Sequence, residues 1–230
     1  MSAAAIHRGA IVGSAVALFR QQGYAATGLN QILAASGAPK GSLYHYFPAG
    51  KAAIGAEAVR TAGATVAATL AALAARTRSP GALIAAYCRL LAGWMAQSGY
   101  RDGCPIATTL LEMAPEDEAI RRAGEAAFAA WAAVIEASLG KHGIGRRRAR
   151  RLAWLASAAI EGALVQTRVV RHAGPLRDAA AELKAMFDLA AGGSDSRRPA
   201  AAVSPVPARA APPLRPPSRR RRPARSGRRT

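Results

Sequence analysis

Up to about residue 190, apolar side chains recur at three- and four-residue spacing, the signature of one amphipathic helix after another. Ile11, Ala15, Leu18 and Phe19 give a first helix its apolar stripe, and Leu29, Ile32 and Leu33 do the same for a short second one. Thr27 is the expected N-cap of that second helix, its hydroxyl accepting from a free backbone N–H. Ser36-Gly37-Ala38 then supplies a tight turn, with Gly37 able to take φ > 0 at little steric cost. Pro39 suits the first position of a third helix, where a missing N–H is no loss, and Leu43 and Phe47 share its inner side. From 51 to 76 the chain is alanine-rich and free of proline, and reads as one long helix stopped at Ser79-Pro80-Gly81. Glycines and prolines divide the remainder into helices expected at about 82–97, 105–113, 115–139, 146–171 and 176–190. No segment alternates with period two in β-branched residues, so no sheet is expected. The pattern predicts an all-α fold of about nine helices.

Beyond residue 193 the character changes. Residues 199–230 are rich in proline, arginine and alanine, with no periodic apolar face to bury, and are expected to be disordered. The chain as a whole has 32 Lys and Arg against 13 Asp and Glu, a net charge of +19, which favours polyanionic partners. Residues 194–230 hold eleven of those arginines and one acid, Asp195. Two readings stand for this tail: an electrostatic arm on DNA, or an extension reflecting GC-rich coding. An anionic membrane surface is a third partner for Arg219–Arg222.

The 28–47 segment carries the most specific chemistry. Two short helices joined by a glycine turn, the second with one apolar side, make a helix-turn-helix. The outer side of its second helix presents Gly41, Ser42, Tyr44 and His45, small or hydrogen-bonding groups suited to a DNA groove. Lys40 and Tyr46 flank it, within reach of phosphates. No Asp or Glu occurs before Glu57, while Arg8, Arg20, Lys40 and Lys51 all do. A DNA-facing unit gains from lacking carboxylates, which repel phosphate.

The segment GAPKGSLYHYFPAGK, with the F-x-x-x-G-Y and T-x-x-x-I spacings before it, resembles the DNA-binding signature of TetR-type transcriptional regulators. Pro39 stands where that family often has a capping Ser, and Pro48-Ala49-Gly50-Lys51 is one residue longer than its common form. The resemblance implies a DNA-binding domain over 4–64 that uses Thr27, Lys40, Gly41, Ser42, Tyr44, His45, Tyr46 and Lys51. It also implies an effector-binding and dimerisation domain over 65–192, followed by the tail, 193–230. The segment GCPIATTLLEMA resembles the LmrA/YxaF-like branch of the family. The implied protein is a homodimeric, ligand-responsive repressor that binds a pseudo-palindromic operator. Activation, or regulation without a small-molecule effector, is the alternative.

Large apolar side chains amid so much alanine either fill the core or line a cavity. Leu91, Trp94, Met95, Ile106, Met113, Phe128, Trp131, Ile135 and Trp154 are the candidates. Glu161 stands in an otherwise apolar helix, as an effector contact or as an interface carboxylate paired with an Arg. For a dimer interface, Leu155, Ala159, Gly162, Gln166 and Val169 make a stripe of mostly small residues that permits close helix approach. Leu183, Met186 and Phe187 give the last helix an apolar side. The run of five arginines in Arg146–Arg151 reads as a solvated, mutually repelling face.

Catalysis finds no foothold. The four histidines (His7, His45, His142, His172) are scattered, Cys88 and Cys104 lack metal-ligand spacing, and no G-x-S-x-G or phosphate-loop motif occurs. No enzyme activity, metal or cofactor is expected. The two cysteines fit a reducing compartment, as buried structural thiols or, alternatively, a redox pair. Arg20 ends the apolar stretch that precedes it, and Glu161, Gln166 and Arg168 interrupt the next candidate span, so a cytoplasmic protein without a membrane segment is expected.

Overall fold

The computed structural model describes residues 3–192, all helix and connecting turn. The helices are α1 (Ala3–Gln22), α2 (Leu29–Ser36), α3 (Lys40–Tyr46), α4 (Lys51–Ala74), α5 (Pro80–Gln97), α6 (Pro105–Met113), α7 (Glu118–Lys141), α8 (Arg146–Val170) and α9 (Gly174–Gly192). No strand occurs among the described residues. The basic tail expected from 193 onward lies outside them. No described helix is long and apolar enough to cross a membrane.

Local chemistry sets the ends of these elements. Gly37 closes α2 in the left-handed conformation, at φ 62°. Thr27 does not cap α2 as expected; Gly28 holds that position. Thr27 is instead buried, and its hydroxyl donates to the Gly23 carbonyl at 2.7 Å. The Gln31 side chain turns back to accept from the Gly28 N–H at 2.8 Å, satisfying that free donor. Pro39 precedes α3 with an extended ψ of 141° rather than occupying its first turn. The start expected at 115 shifts to Glu118, because the Asp117 carboxylate accepts from the Ile120 N–H at 2.9 Å and caps α7 there.

Ile11, Ala15 and Phe19 of α1 are buried together with Ile32, Leu43 and Phe47, and this interior fixes the first three helices. α4 leaves that unit and packs along α7. Gly55 lies against Tyr24 and Ile120, and Gly63 against Ala127, so α4 and α7 run alongside in the same direction. The domain boundary expected at 64/65 falls within α4, which continues without a break. On the far side α5 packs against α9, burying Leu183 and Phe187. Ser79 caps α5 by accepting from the Ala82 N–H at 3.1 Å, and it donates to Asp188 of α9 at 2.8 Å.

Polar ties join α1 to the later helices. The Arg20 carbonyl accepts from the Gly103 N–H at 2.9 Å, the Phe19 carbonyl from the Thr108 hydroxyl at 3.1 Å, and the Gln21 carbonyl from Arg168 at 3.1 Å. The Phe19 carbonyl also accepts from the Gly23 N–H at 3.0 Å, whereas those of Arg20 and Gln21 are helix-end acceptors that the ladder of α1 leaves open. Arg20 also pairs with Asp102 at 2.8 Å. In the following turn the Glu112 carboxylate of α6 accepts from the N–H groups of Tyr24 and Ala25. Gly23 permits this contact, since it adopts φ 86° and a Cβ there would sit 2.6 Å from Glu112 Oε1. Gly23→Ala should therefore destabilise the protein by about 1–3 kcal/mol, from the left-handed backbone and the lost approach together. A denaturant midpoint within error of wild type would show that the turn adapts at no cost.

Candidate DNA interface and interior cavity

Leu43 and Phe47 anchor α3, each almost fully buried. That fixes the opposite face toward solvent. Lys40, Gly41, Tyr44 and His45 are exposed there, with Tyr44 60% accessible, and Ser42 and Tyr46 lie half-buried at the flanks. The His45 and Tyr46 rings meet edge to face at 4.9 Å. This face offers one ammonium, two phenols, an imidazole and a glycine at which a surface can approach the backbone closely. Such a set suits phosphate and base-edge hydrogen bonding.

Two residues assigned to the same face sit differently. The Thr27 side chain is turned inward, as described above. Lys51 places its ammonium 4.2 Å from the centre of the Tyr24 ring and 3.3 Å from the Ala25 carbonyl. Partial burial lowers its pKa, against the opposing pull of Glu112. Lys51 thus holds the turn between α1 and α2. The first acid of the chain, Glu57, is engaged by Arg8 at 3.1 Å and Arg60 at 2.8 Å, so its charge is matched locally.

A cavity of about 1080 Å³ opens between α1, α4, α5, α7, α8 and the 98–105 connection. Of the candidates named from sequence, Leu91, Trp94, Met95, Trp131 and Glu161 line it. Ile106 and Ile135 are instead buried in the close-packed core, and Met113 and Phe128 pack on its edge. Phe128 meets Trp131 edge to face at 5.2 Å. Trp154 is 42% exposed on the outer surface, beside Glu136 and Arg150. Large size alone did not separate wall from core. The missed wall includes Gly13, Val16 and Arg20 of α1, and Thr61, Thr65 and Thr69 of α4. Those threonines recur every four residues in an alanine-rich helix, a signal that was present in the sequence.

Glu161 is the chemically distinctive wall residue. Burial pushes its carboxyl up to about 7, opposed only by a hydrogen bond from the Cys104 thiol. It makes no ion pair among the described residues. Burial and then the Glu161 charge raise the Cys104 thiol well above its ordinary range, and burial raises Cys88 to about 11. Both are free thiols, and neither is a ready nucleophile near neutrality.

The outer faces of α8 and α9 are unusually apolar. Leu155, Val165, Val169, Met186 and Leu189 are all exposed, Val169 by 75% and Leu189 by 76%. Gly162 and Gln166 are exposed beside them and Ala159 is half-buried. Leu183 and Phe187, expected on the same surface, face inward instead. They fill the chain's own core against α5, where each large side chain contributes roughly 1.5–3 kcal/mol of burial. The arginines of the 146–151 run are solvent-exposed.

A glycine-turned pair of short helices with one outward polar face, mounted on a larger helical domain with an interior cavity, defines a helix-turn-helix DNA-binding regulator. Residues 11–58 match the family described as bacterial regulatory proteins, tetR family, and residues 80–182 match the transcriptional regulator LmrA/YxaF-like, C-terminal domain. The chain belongs to the TetR family of transcriptional regulators. It is 33% identical over 166 residues to the HTH-type transcriptional regulator LmrA of Bacillus subtilis (strain 168), covering 72% of this chain and 88% of that protein. It is 37% identical over 171 residues to an HTH-type transcriptional regulator of Mycobacterium tuberculosis (strain ATCC 25618 / H37Rv), covering 72% and 86%. Among solved structures, a TetR transcriptional regulator from Chloroflexus aurantiacus superposes with a TM-score of 0.67 at 28% identity, over 82% of this chain and 97% of that one.

The raised Glu161 carboxyl has a consequence for stability. Its value of about 7 in the fold stands above the ordinary 4.5, so the folded state holds the proton more tightly than the unfolded chain. That contribution is complete below pH 4.5 and is lost as pH rises through 7. Wild type should therefore lose stability across this window relative to Glu161→Gln, whose side chain does not titrate. Parallel melting curves for the two proteins from pH 4.5 to 8 would contradict the assignment.

Proposed function

We propose that this regulator acts as a homodimeric repressor on a pseudo-palindromic operator and is released when a small, largely apolar molecule enters the interior cavity. One observation carries the reading: the cavity wall is shared between α1, which belongs to the DNA-binding unit, and α5, α7 and α8. The 98–105 connection borders the cavity, and its Gly103 N–H and Asp102 carboxylate hold the end of α1. A ligand that displaces this connection changes how α1, and with it α3, is carried. The operator prefers one arrangement and the ligand the other, so each weakens binding of the other by the same factor. A coupling of about 1–3 kcal/mol is the usual scale.

The outer α8–α9 face supports the dimer. Exposed valines and leucines beside Gly162 let two helices meet closely, and a two-fold arrangement presents paired α3 helices about one DNA turn apart. In this reading Lys40, Tyr44 and His45 contact DNA, with Gly41, Ser42 and Tyr46 at the margins.

The test starts from DNA fragments selected by the purified protein. On such a fragment Tyr44→Ala and Lys40→Ala should each weaken binding tenfold or more while helical content is unchanged, and Lys40→Ala should lower the salt slope by about one per subunit. Thr65→Trp, which fills the cavity from α4, should preserve DNA binding but prevent release by any ligand that frees wild type. Wild-type affinity in both α3 variants would overturn the assigned face. A broad ligand screen that releases nothing would overturn the effector response.

Val169→Asp should convert the dimer to monomer in sedimentation at micromolar concentration. It should also remove cooperative binding to two half-sites, because a carboxylate in an apolar helix contact is costly unless paired. A monomeric wild type at that concentration would overturn the dimer.

A further inference from the structure

The cavity wall combines three features that define a ligand chemistry. Glu161 presents a carboxyl with no counter-ion among the described residues, held on one side by the Cys104 thiol. Trp131 is 97% buried, being 3% accessible, and lines the same cavity, yet its indole N–H has no acceptor among the described residues. Tyr87 and Trp94 add aromatic surface to the wall. A carboxylate that shares a cavity with aromatic side chains suits an organic cation, by direct charge and by cation–π attraction. An accepting group on the same molecule would satisfy the free indole N–H.

We propose that the cavity takes an aromatic organic cation, a protonated or quaternary amine that also carries an ether or carbonyl oxygen, with Glu161 facing the cationic nitrogen and the Trp131 N–H donating to the oxygen. This rests on the cavity being the effector site argued above, and it adds the charge and hydrogen-bonding pattern of the occupant. Arg20 does not compete for Glu161, because Asp102 engages it at 2.8 Å. Arg101 is exposed at the cavity edge. Of the groups facing Glu161, the Cys104 thiol and the Tyr87 phenol are both raised, chiefly by burial, and Cys88, which acts on Tyr87, stands at about 11. None of these three changes charge between pH 5.5 and 8. Over that interval the carboxyl itself goes from mostly protonated to mostly ionised.

The test is calorimetry with three probes built on one methoxynaphthalene frame: (6-methoxynaphthalen-2-yl)methyl-trimethylammonium, the corresponding alcohol, and 6-methoxy-2-naphthoate. At pH 8 the cation should bind at least about tenfold more tightly than the alcohol, with the naphthoate weakest. Glu161→Gln should erase the preference for the cation, and Trp131→Phe should weaken cation and alcohol alike. In wild type alone, affinity for the cation should fall about thirtyfold from pH 8 to pH 5.5, the ratio of ionised Glu161 at the two values, while the alcohol is unaffected. This wild-type comparison decides the matter even if a variant fails to fold.

Equal or tighter binding of the alcohol or the naphthoate overturns the proposal, as does a cation preference that survives Glu161→Gln. So does a cation that shows no binding at millimolar concentration. A neutral ligand that binds and releases the operator would overturn the cation chemistry and leave the effector response standing. A cation that binds through Glu161 without changing operator retention would do the reverse.

Discussion

Helix α4 is the constraint on which the rest of the fold depends. Its Ile54 and Val59 are buried in the stretch where α4 packs on α1 and α7, and its Leu70 is buried further along. One helix can serve two interiors only if its neighbours approach closely on more than one side. The buried Gly55, Ala56, Ala58, Ala62 and Gly63 make that possible, because small side chains bring helix axes together. The same helix turns Thr61, Thr65 and Thr69 to the cavity. DNA-binding unit, packed core and cavity therefore share one rigid element.

The second connection is electrostatic and local. The end of α1 finds its hydrogen-bond partners in Gly103, Thr108 and Arg168, and the turn after it in Glu112. The first 56 residues contain no carboxylate of their own. The fold returns one to the back of that unit without placing it on the α3 face. Lys51 closes the same corner by resting on the Tyr24 ring. The acid-free composition that suits a DNA-facing surface thus creates a structural demand that a distant helix meets.

The cavity owes its character to what its walls leave unpaired. Arg20 and Asp102 beside it match each other in charge at 2.8 Å. Among the described residues Glu161 has no cation and Trp131 no acceptor. Burial makes both deficits matter, since an uncompensated charge or donor away from water costs far more than one at the surface. A raised carboxyl is the form this cost takes at Glu161.

Sequence alone determined the helices, their breaks and the helix-turn-helix, because each depends on residues within a few positions of one another. Gly37 ends α2 as its lack of a Cβ allows, and Leu43 with Phe47 orient α3 through a four-residue spacing. Even local reading slipped where two caps competed: Gly28 with Gln31 displaced Thr27, and Asp117 displaced Pro115. What only the tertiary structure decided was which side chains meet across long separations. Hydrophobicity marked Ile106, Trp131, Leu183 and Val169 alike, yet one fills core, one lines a cavity, one packs on α5 and one faces solvent. Burial depends on the neighbours a helix acquires, and the sequence of a single helix does not contain them. The same holds for Glu112, whose partners lie 87 and 88 residues away, and for Glu161, whose isolation exists only once the cavity has closed around it.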